Sequence, residues 1–128
     1  MFFYSAYGNL ISSSFPLPEL LPHHSAINTS PDIVIQEGNV PETLDVPVSK
    51  GVVYEAKPNT FLLKLDKIAK YLVEDGKYVT VEPAPGSLES DIRVFLLGSC
   101  LGALLHQQGI LALHASSIET TQGAVLFM

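Results

Sequence analysis

The chain has 128 residues and a formal net charge of −6, with 13 acidic residues against 7 lysines and arginines. This balance disfavours nucleic acid as a partner, because nucleic-acid binding depends on Lys and Arg side chains that neutralise phosphates. Only 16% of the residues are charged and 47% are hydrophobic, whereas about a quarter are charged in a typical soluble domain. A compact, well-buried domain fits this composition, and so does a fragment that lacks a covering neighbour.

The chain shows no sign of secretion or of a membrane anchor. Its single cysteine, Cys100, excludes an internal disulfide and fits a reducing compartment. The first residues, Met1-Phe-Phe-Tyr4, lack the basic region of a signal peptide. The longest apolar run, residues 94–105, is much shorter than the roughly 20 residues that a helix needs to cross a bilayer. We therefore expect a cytoplasmic protein without a membrane partner.

The first part of the chain is expected to form strands and irregular connections. Residues 2–11 are aromatic-rich and fit either one bulged strand or two strands that meet at a Gly8-Asn9 turn. Residues 32–36 predict another strand. The adjacent His23 and His24 would chelate poorly, because neighbouring side chains point in different directions and no Cys or carboxylate stands at ligand spacing. No metal site is therefore predicted.

Residues 51–81 give a clearer strand pattern. A strand is predicted over residues 52–56, and another over residues 61–65 with Phe61, Leu63 and Leu65 on one face. A helix over residues 60–73 also fits the apolar spacing. Strands are favoured because Asp75-Gly76 lies between two strand-like runs and supplies the positive φ values of a tight hairpin turn.

One helix is predicted after residue 86. Ser87 or Ser90 would cap its N-terminus, and Gly109 would close its C-terminus. Its interior is apolar almost all round, which predicts a buried core helix that contains Cys100. Gly98 and Gly102 lie four residues apart, and a helical glycine costs about 1 kcal/mol relative to alanine. We therefore expect another backbone, that of the sheet containing residues 110–118, to approach them closely.

The last part of the chain predicts two buried strands. Residues 110–118 and 124–128 are short apolar runs on either side of a polar corner at residues 119–123. The second run stays apolar up to Met128 and contains no turn residue. Because domain boundaries normally fall in polar segments, the chain is expected to be a truncated portion of a longer protein.

Several segments resemble the serine kinases related to HPr kinase/phosphorylase. The resemblance is clearest from Gly76 to Met128. It rests mainly on Val94-Phe-Leu-Leu-Gly98, on Leu104-Leu-His-Gln-Gln-Gly109 and on Leu113-His-Ala-Ser116, which leads to Gly123-Ala-Val-Leu-Phe127. In that family the last strand runs into a Gly-rich P-loop ending in Gly-Lys-Ser or Gly-Lys-Thr, whose backbone N–H groups and Lys hold the phosphates of a nucleotide. The sequence contains no such loop. The resemblance therefore implies an ATP-dependent kinase that is inactive as this chain alone.

The implied fold is α+β. Residues 1–84 would be a β-rich N-terminal region, and residues 85–128 would hold the first helix and strands of an incomplete α/β P-loop core. The resemblance makes His114 the tentative catalytic residue, because the family carries a functional His on the strand before the P-loop strand. From the residues alone, His114 fits better as a hydrogen-bonded core histidine.

The resemblance also implies cofactors and partners for the complete protein. ATP and magnesium would be bound by residues outside this chain, which itself holds no cofactor. The substrate would be a serine hydroxyl of a small carrier protein or of a peptide. A homo-oligomer is compatible with this interpretation. The alternative is a non-enzymatic β-rich binding or adaptor module, in which residues 124–128 pair with a partner at a sheet edge.

Overall fold

The computed structural model describes residues 1–24 and 28–128. Its strands, in chain order, are β1 (Phe2–Ala6), β2 (Asn9–Ser13), β3 (Leu21–Pro22), β4 (Ile33–Glu37), β5 (Ser49–Lys50), β6 (Tyr54–Lys57), β7 (Thr60–Leu65), β8 (Ala69–Glu74), β9 (Tyr78–Pro83), β10 (Ser116–Thr120) and β11 (Gly123–Phe127). One helical run follows β9, made of α1 (Glu89–Phe95), a π-helical segment (Leu96–Cys100) and α2 (Leu101–Gln107). We call this run the helix.

The first nine strands form one mixed sheet in the order β3-β1-β2-β4-β9-β8-β7-β6-β5. β4 lies parallel to both of its neighbours, β2 and β9, and the other pairs are antiparallel. The strands at the two edges, β3 and β5, have 2 residues each. Such short edges offer little unpaired backbone to another chain.

The predicted α+β fold with an α/β P-loop core is wrong, because the chain is mostly β with one nine-stranded mixed sheet. Residues 85–128 do not open an α/β P-loop core, which would need parallel strands joined through helices. Instead, β10 and β11 pair antiparallel with each other, apart from the nine-stranded sheet. Strands therefore dominate the described residues, and the helix is the one long helical element among them. The division of the chain at residue 84 stays a prediction.

The local predictions for β7, β8 and β9 are confirmed. Residues 60–65 and 69–74 are strands, and Phe61, Leu63 and Leu65 all lie on the face that packs into the core. The β8–β9 loop consists of three residues, 75–77. Asp75 and Gly76 adopt φ angles of 57° and 61°, as the turn signal required.

The structure decides between the two alternatives for residues 2–11, one bulged strand or two strands. Two strands are present, and they meet one residue earlier than predicted, at Tyr7 and Gly8. Both residues have positive φ, 53° and 75°. Two consecutive positive φ angles give the turn the twist that matches an antiparallel pair. The side-chain amide of Asn9 donates to the Tyr7 carbonyl oxygen at 3.0 Å and so supports the turn.

The helix packs on one face of the sheet, and this contact is the centre of the core. Four of its six buried residues belong to the core cluster shared with the strands: Ile92, Leu96, Cys100 and Leu104. The Tyr71 hydroxyl on β8 donates to the Ile92 carbonyl oxygen at 2.9 Å. Burial raises the pKa of both the Tyr71 phenol and the Cys100 thiol, so each stays protonated. Cys100 is thus an inert core residue, as predicted.

The ends of the helix differ in how well the sequence predicted them. Gly109 closes the C-terminus as expected, with φ of 80° and its N–H donating to the His106 carbonyl oxygen. Ile110 N–H bonds the Leu105 carbonyl oxygen, which completes a Schellman motif. The predicted serine cap is wrong. Leu88 occupies the N-cap position without a side-chain bond, and the Ser87 hydroxyl donates to the Ala84 carbonyl oxygen instead.

The expectation that a backbone covers Gly98 and Gly102 is also wrong. A Cβ atom built on either glycine would meet no other atom within 4 Å. Gly98 and Gly102 therefore have no packed neighbour at their Cα atoms, and Val94 on the outer side of the helix is 64% exposed. None of the helices among the described residues has the length and apolar character needed to cross a membrane.

The open face of the helix gives a direct test with two glycines. Gly102→Ala should stabilise the protein by up to about 1 kcal/mol, because alanine has the higher helix propensity and its methyl group has room. Gly109→Ala should destabilise it, because a side chain is strained at positive φ. Urea unfolding of the two variants measures both effects. A destabilised Gly102→Ala variant would mean that another backbone covers this face.

A loop crosses the opposite face of the sheet and is held there by charges. We call residues 40–44 the strap. Four side chains, one from each of β6 to β9, bind it: Glu55, Lys64, Lys70 and Glu82. The Val40 N–H donates to Glu82 at 2.7 Å, and Lys70 Nζ lies 2.8 Å from Glu42 and 3.2 Å from Glu82.

These contacts change the pKa values of three charged side chains, one in the strap and two on the strands beneath it. The hydrogen bond from Lys70 lowers the pKa of Glu42, and bonds from the Val40 N–H and from Lys70 lower that of Glu82. The same carboxylates, Glu42 first, raise the pKa of Lys70. A lowered carboxyl pKa contributes stability above the pKa of the unfolded chain, and this contribution is lost as the pH falls through the folded value. The strap is therefore an acid-sensitive part of the fold.

We expect Lys70→Met to be less stable than the native protein at about pH 7 and to approach it at about pH 3, where the carboxylates are protonated in both proteins. Lys50→Met, at an exposed position that forms no ion pair with another described residue, is the matched control. Urea unfolding at the two pH values measures the difference. If the difference in unfolding free energy between Lys70→Met and the native protein is the same at both pH values, the ion pairs do not hold the strap.

Candidate functional site

Two of the segments that carry the kinase resemblance, residues 113–116 and 123–127, meet at the hairpin of β10 and β11, whereas residues 104–109 lie at the end of the helix. Its register pairs Ser116 with Phe127 and Ile118 with Val125. The Thr120 hydroxyl donates to the Gly123 carbonyl oxygen at 2.7 Å and fixes the turn. The hairpin is therefore a regular local structure, although it pairs with no strand of the nine-stranded sheet.

The hairpin is not buried, contrary to the prediction. All residues of β10 and β11 are exposed. Four large apolar side chains are about half exposed, at 45% to 56%: Ile118, Val125, Leu126 and Phe127. An apolar run predicts burial, but it does not say which surface provides it. In this structure the described residues provide no surface that covers the hairpin.

His114 lies just before β10 and not on a strand. Residues 110–115 have no regular structure, so the predicted strand over residues 110–118 is present only from Ser116 onward. His114 is exposed, and the interpretation as a buried core histidine is therefore wrong. Its role in catalysis stays a prediction.

Two clefts meet at His114. The smaller, of about 340 Å³, lies at the open end of the hairpin and is lined by Ser116, Phe127 and Met128 as well as by His114. The larger, of about 810 Å³, runs between the outer face of the helix and residues 110–114. Gly98 and Gly102 form part of its floor. His114 thus stands between an apolar groove and the hairpin, in reach of molecules that enter either cleft.

Neither cleft at His114 contains a carboxylate in its lining. Across residues 1–24 and 28–128, no group of three or more His, Cys, Asp or Glu side chains is arranged to hold a metal ion. Magnesium prefers carboxylate and phosphate oxygens. The residues around His114 therefore do not fit a magnesium site.

Two groupings of functional side chains were missed by the sequence analysis. The Ser5 hydroxyl lies 2.8 Å from Nδ1 of His23, which joins β1 to the segment that follows β3. Lys57 and His106 line one cleft between the β6–β7 turn and the helix. In each case the partners are far apart in sequence. No local spacing could have indicated either grouping, because the sheet topology brings the residues together.

The exposed hairpin should be much less stable than the sheet. Amide hydrogens of β10 and β11 are expected to exchange more than about a hundredfold faster than those of β8, because few packing contacts oppose local opening. Phe127→Ser should change the free energy of unfolding by no more than about 0.5 kcal/mol. Leu104→Ala, at a fully buried core position, should cost about 2–5 kcal/mol and is the contrasting variant.

Hydrogen exchange followed by NMR and urea unfolding measure these two effects. Slow exchange in the hairpin, or a large cost of Phe127→Ser, would mean that the hairpin is covered in solution.

The chain was compared with protein-family models, with curated proteins and with solved structures. No family model matches the chain, and no curated protein or solved structure matches it either.

Proposed function

We propose that this chain is the N-terminal portion of an ATP-dependent serine kinase similar to HPr kinase/phosphorylase. One observation supports the proposal: two of the segments that carry the resemblance, Leu113-His-Ala-Ser116 and Gly123-Ala-Val-Leu-Phe127, meet at the open end of one exposed apolar hairpin. The acceptor would be a serine hydroxyl of a small protein or of a peptide. The sequence contains no Gly-rich loop ending in Gly-Lys-Ser or Gly-Lys-Thr, so the chain alone would transfer no phosphate.

The exposed side chains of the hairpin support a covering partner. Burying an exposed apolar side chain stabilises a protein by about 1.5–3 kcal/mol, and a half-exposed one gains roughly half of that. Ile118, Val125, Leu126 and Phe127 together would therefore give a clear driving force for packing. In the proposal, the nucleotide-binding part of the kinase covers the hairpin and brings the phosphate-binding loop close to β11.

His114 would handle the proton of the acceptor hydroxyl. Its imidazole is exposed and lies between the two clefts, where an incoming serine side chain has access. A neutral imidazole nitrogen can accept the hydroxyl proton or orient the hydroxyl oxygen, and such general-base catalysis contributes typically 10²–10⁴-fold. Ser116 and Ser117 would be strand residues without a catalytic role.

A second candidate function is supported by the edges of the hairpin. β10 and β11 pair only with each other among the described strands, so the outer edge of each strand offers free N–H and C=O groups. An extended segment of another protein could add to either edge and bury the apolar side chains. The chain would then be a non-enzymatic binding module, and His114 would have no chemical role.

Nucleotide binding separates the two functions. The 128-residue chain should show no heat of ATP binding in calorimetry, whereas the product of the complete gene should bind ATP with magnesium. The coding sequence downstream of Met128 should contain a Gly-rich loop ending in Gly-Lys-Ser or Gly-Lys-Thr. A stop codon at that point, with a product that binds no nucleotide, would reject the kinase and favour the binding module.

In that complete gene product, His114→Gln should lower kcat for serine phosphorylation by about 10²-fold or more, with little change in the KM for ATP. His24→Gln, at another exposed histidine, is the matched control and should leave kcat unchanged. Equal activity of both variants would remove His114 from the mechanism.

A further inference from the structure

One cleft of the molecule has the chemistry of a ligand site and is separate from His114. It has a volume of about 530 Å³ and lies between the β6–β7 turn and α2, on the side of α2 from which Gln107 reaches β8. Small-molecule sites in proteins are typically about 300–1,000 Å³, mostly apolar, with a few well-positioned polar groups. This cleft has that composition: Phe61 and Ala103 give it an apolar floor, and Lys57, Thr60 and His106 supply polar groups.

The charges in this cleft are unusual for an acidic chain. The protein has 13 acidic residues, yet no carboxylate lines the cleft. Neither Lys57 nor His106 forms an ion pair or a side-chain hydrogen bond with another described residue. By contrast, Lys64, Lys70 and Arg93 are each paired with a glutamate. Lys57 therefore keeps its positive charge available to a ligand.

The walls of the cleft are held in place by neighbouring elements. The β6–β7 turn has Asn59 at φ of 57°, and its carbonyl oxygen accepts a hydrogen bond from the Asp75 N–H at 3.0 Å. On the other wall, the Gln107 side chain donates to the Val73 carbonyl oxygen and accepts from the Gly76 N–H. Both walls are thus bonded to β8 and the β8–β9 loop. A site that is formed before binding loses less entropy when a ligand orders it.

The floor of the cleft favours a ligand whose apolar part is a compact ring or a short chain. The Phe61 ring is stacked on Tyr54, with 6.1 Å between ring centroids and 20° between the planes, so its orientation is fixed. An apolar group can pack against this ring and against Ala103, while a negative group meets Lys57 and His106. One anionic group on a small apolar body satisfies both features.

We propose that this cleft binds a small organic anion, a carboxylate or a phosphate monoester with an apolar body, through Lys57 and His106. The proposal does not depend on the kinase function, because the cleft shares no residue with the two clefts at His114. Carboxylate and phosphate groups offer the same recognition chemistry to a lysine and a histidine.

Three probes of similar size test the proposal on the 128-residue chain: benzoate, phenyl phosphate and the uncharged benzyl alcohol. Titration followed by ¹⁵N NMR should show saturable shifts at the lining residues with at least one of the two anions. The anion that binds more tightly identifies the preferred head group. Benzyl alcohol should bind about tenfold more weakly or not at all, because it cannot use the charge of Lys57.

Variants at the two basic positions complete the test. Lys57→Met and His106→Gln should each raise the Kd of the better anion by about tenfold, since each removes one charge-assisted contact. Lys50→Met and His24→Gln are matched controls at exposed positions outside the cleft and should leave the Kd unchanged. Circular dichroism of each variant checks that the fold is intact.

Three results would overturn the proposal. Shifts confined to other parts of the molecule would locate the binding elsewhere. Equal affinity for benzyl alcohol and the anions would show that charge is not recognised. An unchanged Kd in both Lys57→Met and His106→Gln would exclude the two residues as ligand contacts.

Discussion

The position of the helix on the sheet depends on hydrogen bonds at both of its ends. At the first turn, the Tyr71 hydroxyl bonds the Ile92 carbonyl oxygen. At the last turn, Gln107 Nε2 donates to the Val73 carbonyl oxygen at 3.1 Å, and Gln108 Nε2 donates to that of Gly76 at 2.7 Å. These bonds join the helix to β8 and to the β8–β9 loop. Apolar burial alone is not directional, so they select one rotation of the helix on the sheet.

That rotation decides which surfaces remain open. It turns Leu96 and Leu104 into the core and leaves Gly98 and Gly102 toward solvent. The Schellman motif at Gly109 then redirects the chain, so that residues 110–114 run along the outside of the helix and line the groove there. The hairpin of β10 and β11 therefore begins on the outer side of the helix. Its exposure follows from how the helix ends.

The sequence predicted the local structure better than the arrangement of the elements. The strands β7 to β9 were predictable because alternation and Asp75-Gly76 are local signals. Gly109 was predictable for the same reason. The parallel neighbours of β4 were not, because β2 and β9 reach it from distant parts of the chain. The expected α/β core failed because an apolar run such as residues 124–128 does not specify which strand it pairs with.

The same limit applies to the candidate sites. His114 could be selected from sequence because the residues around it resemble a kinase family, but its burial was predicted wrongly, since burial depends on what covers residues 110–118. The cleft at Lys57 and His106 had no motif. It exists because β6 and β7 form a hairpin beside β8, and because Gln107 fixes the last turn of the helix against β8.

The two proposed sites, at His114 and at Lys57, also differ in which groups they would need from outside the described residues. At His114 the described residues supply one titratable side chain and apolar surface, so chemistry there requires groups brought by another part of a protein. At Lys57 both walls, the apolar floor and the basic side chains are present together. Binding at the first site would depend on assembly, and binding at the second would depend only on the packing of the helix against the sheet. The hydrogen bonds that fix the helix therefore position one wall of the cleft at Lys57 directly. They affect the position of His114 only indirectly, through the path that residues 110–114 take along the helix.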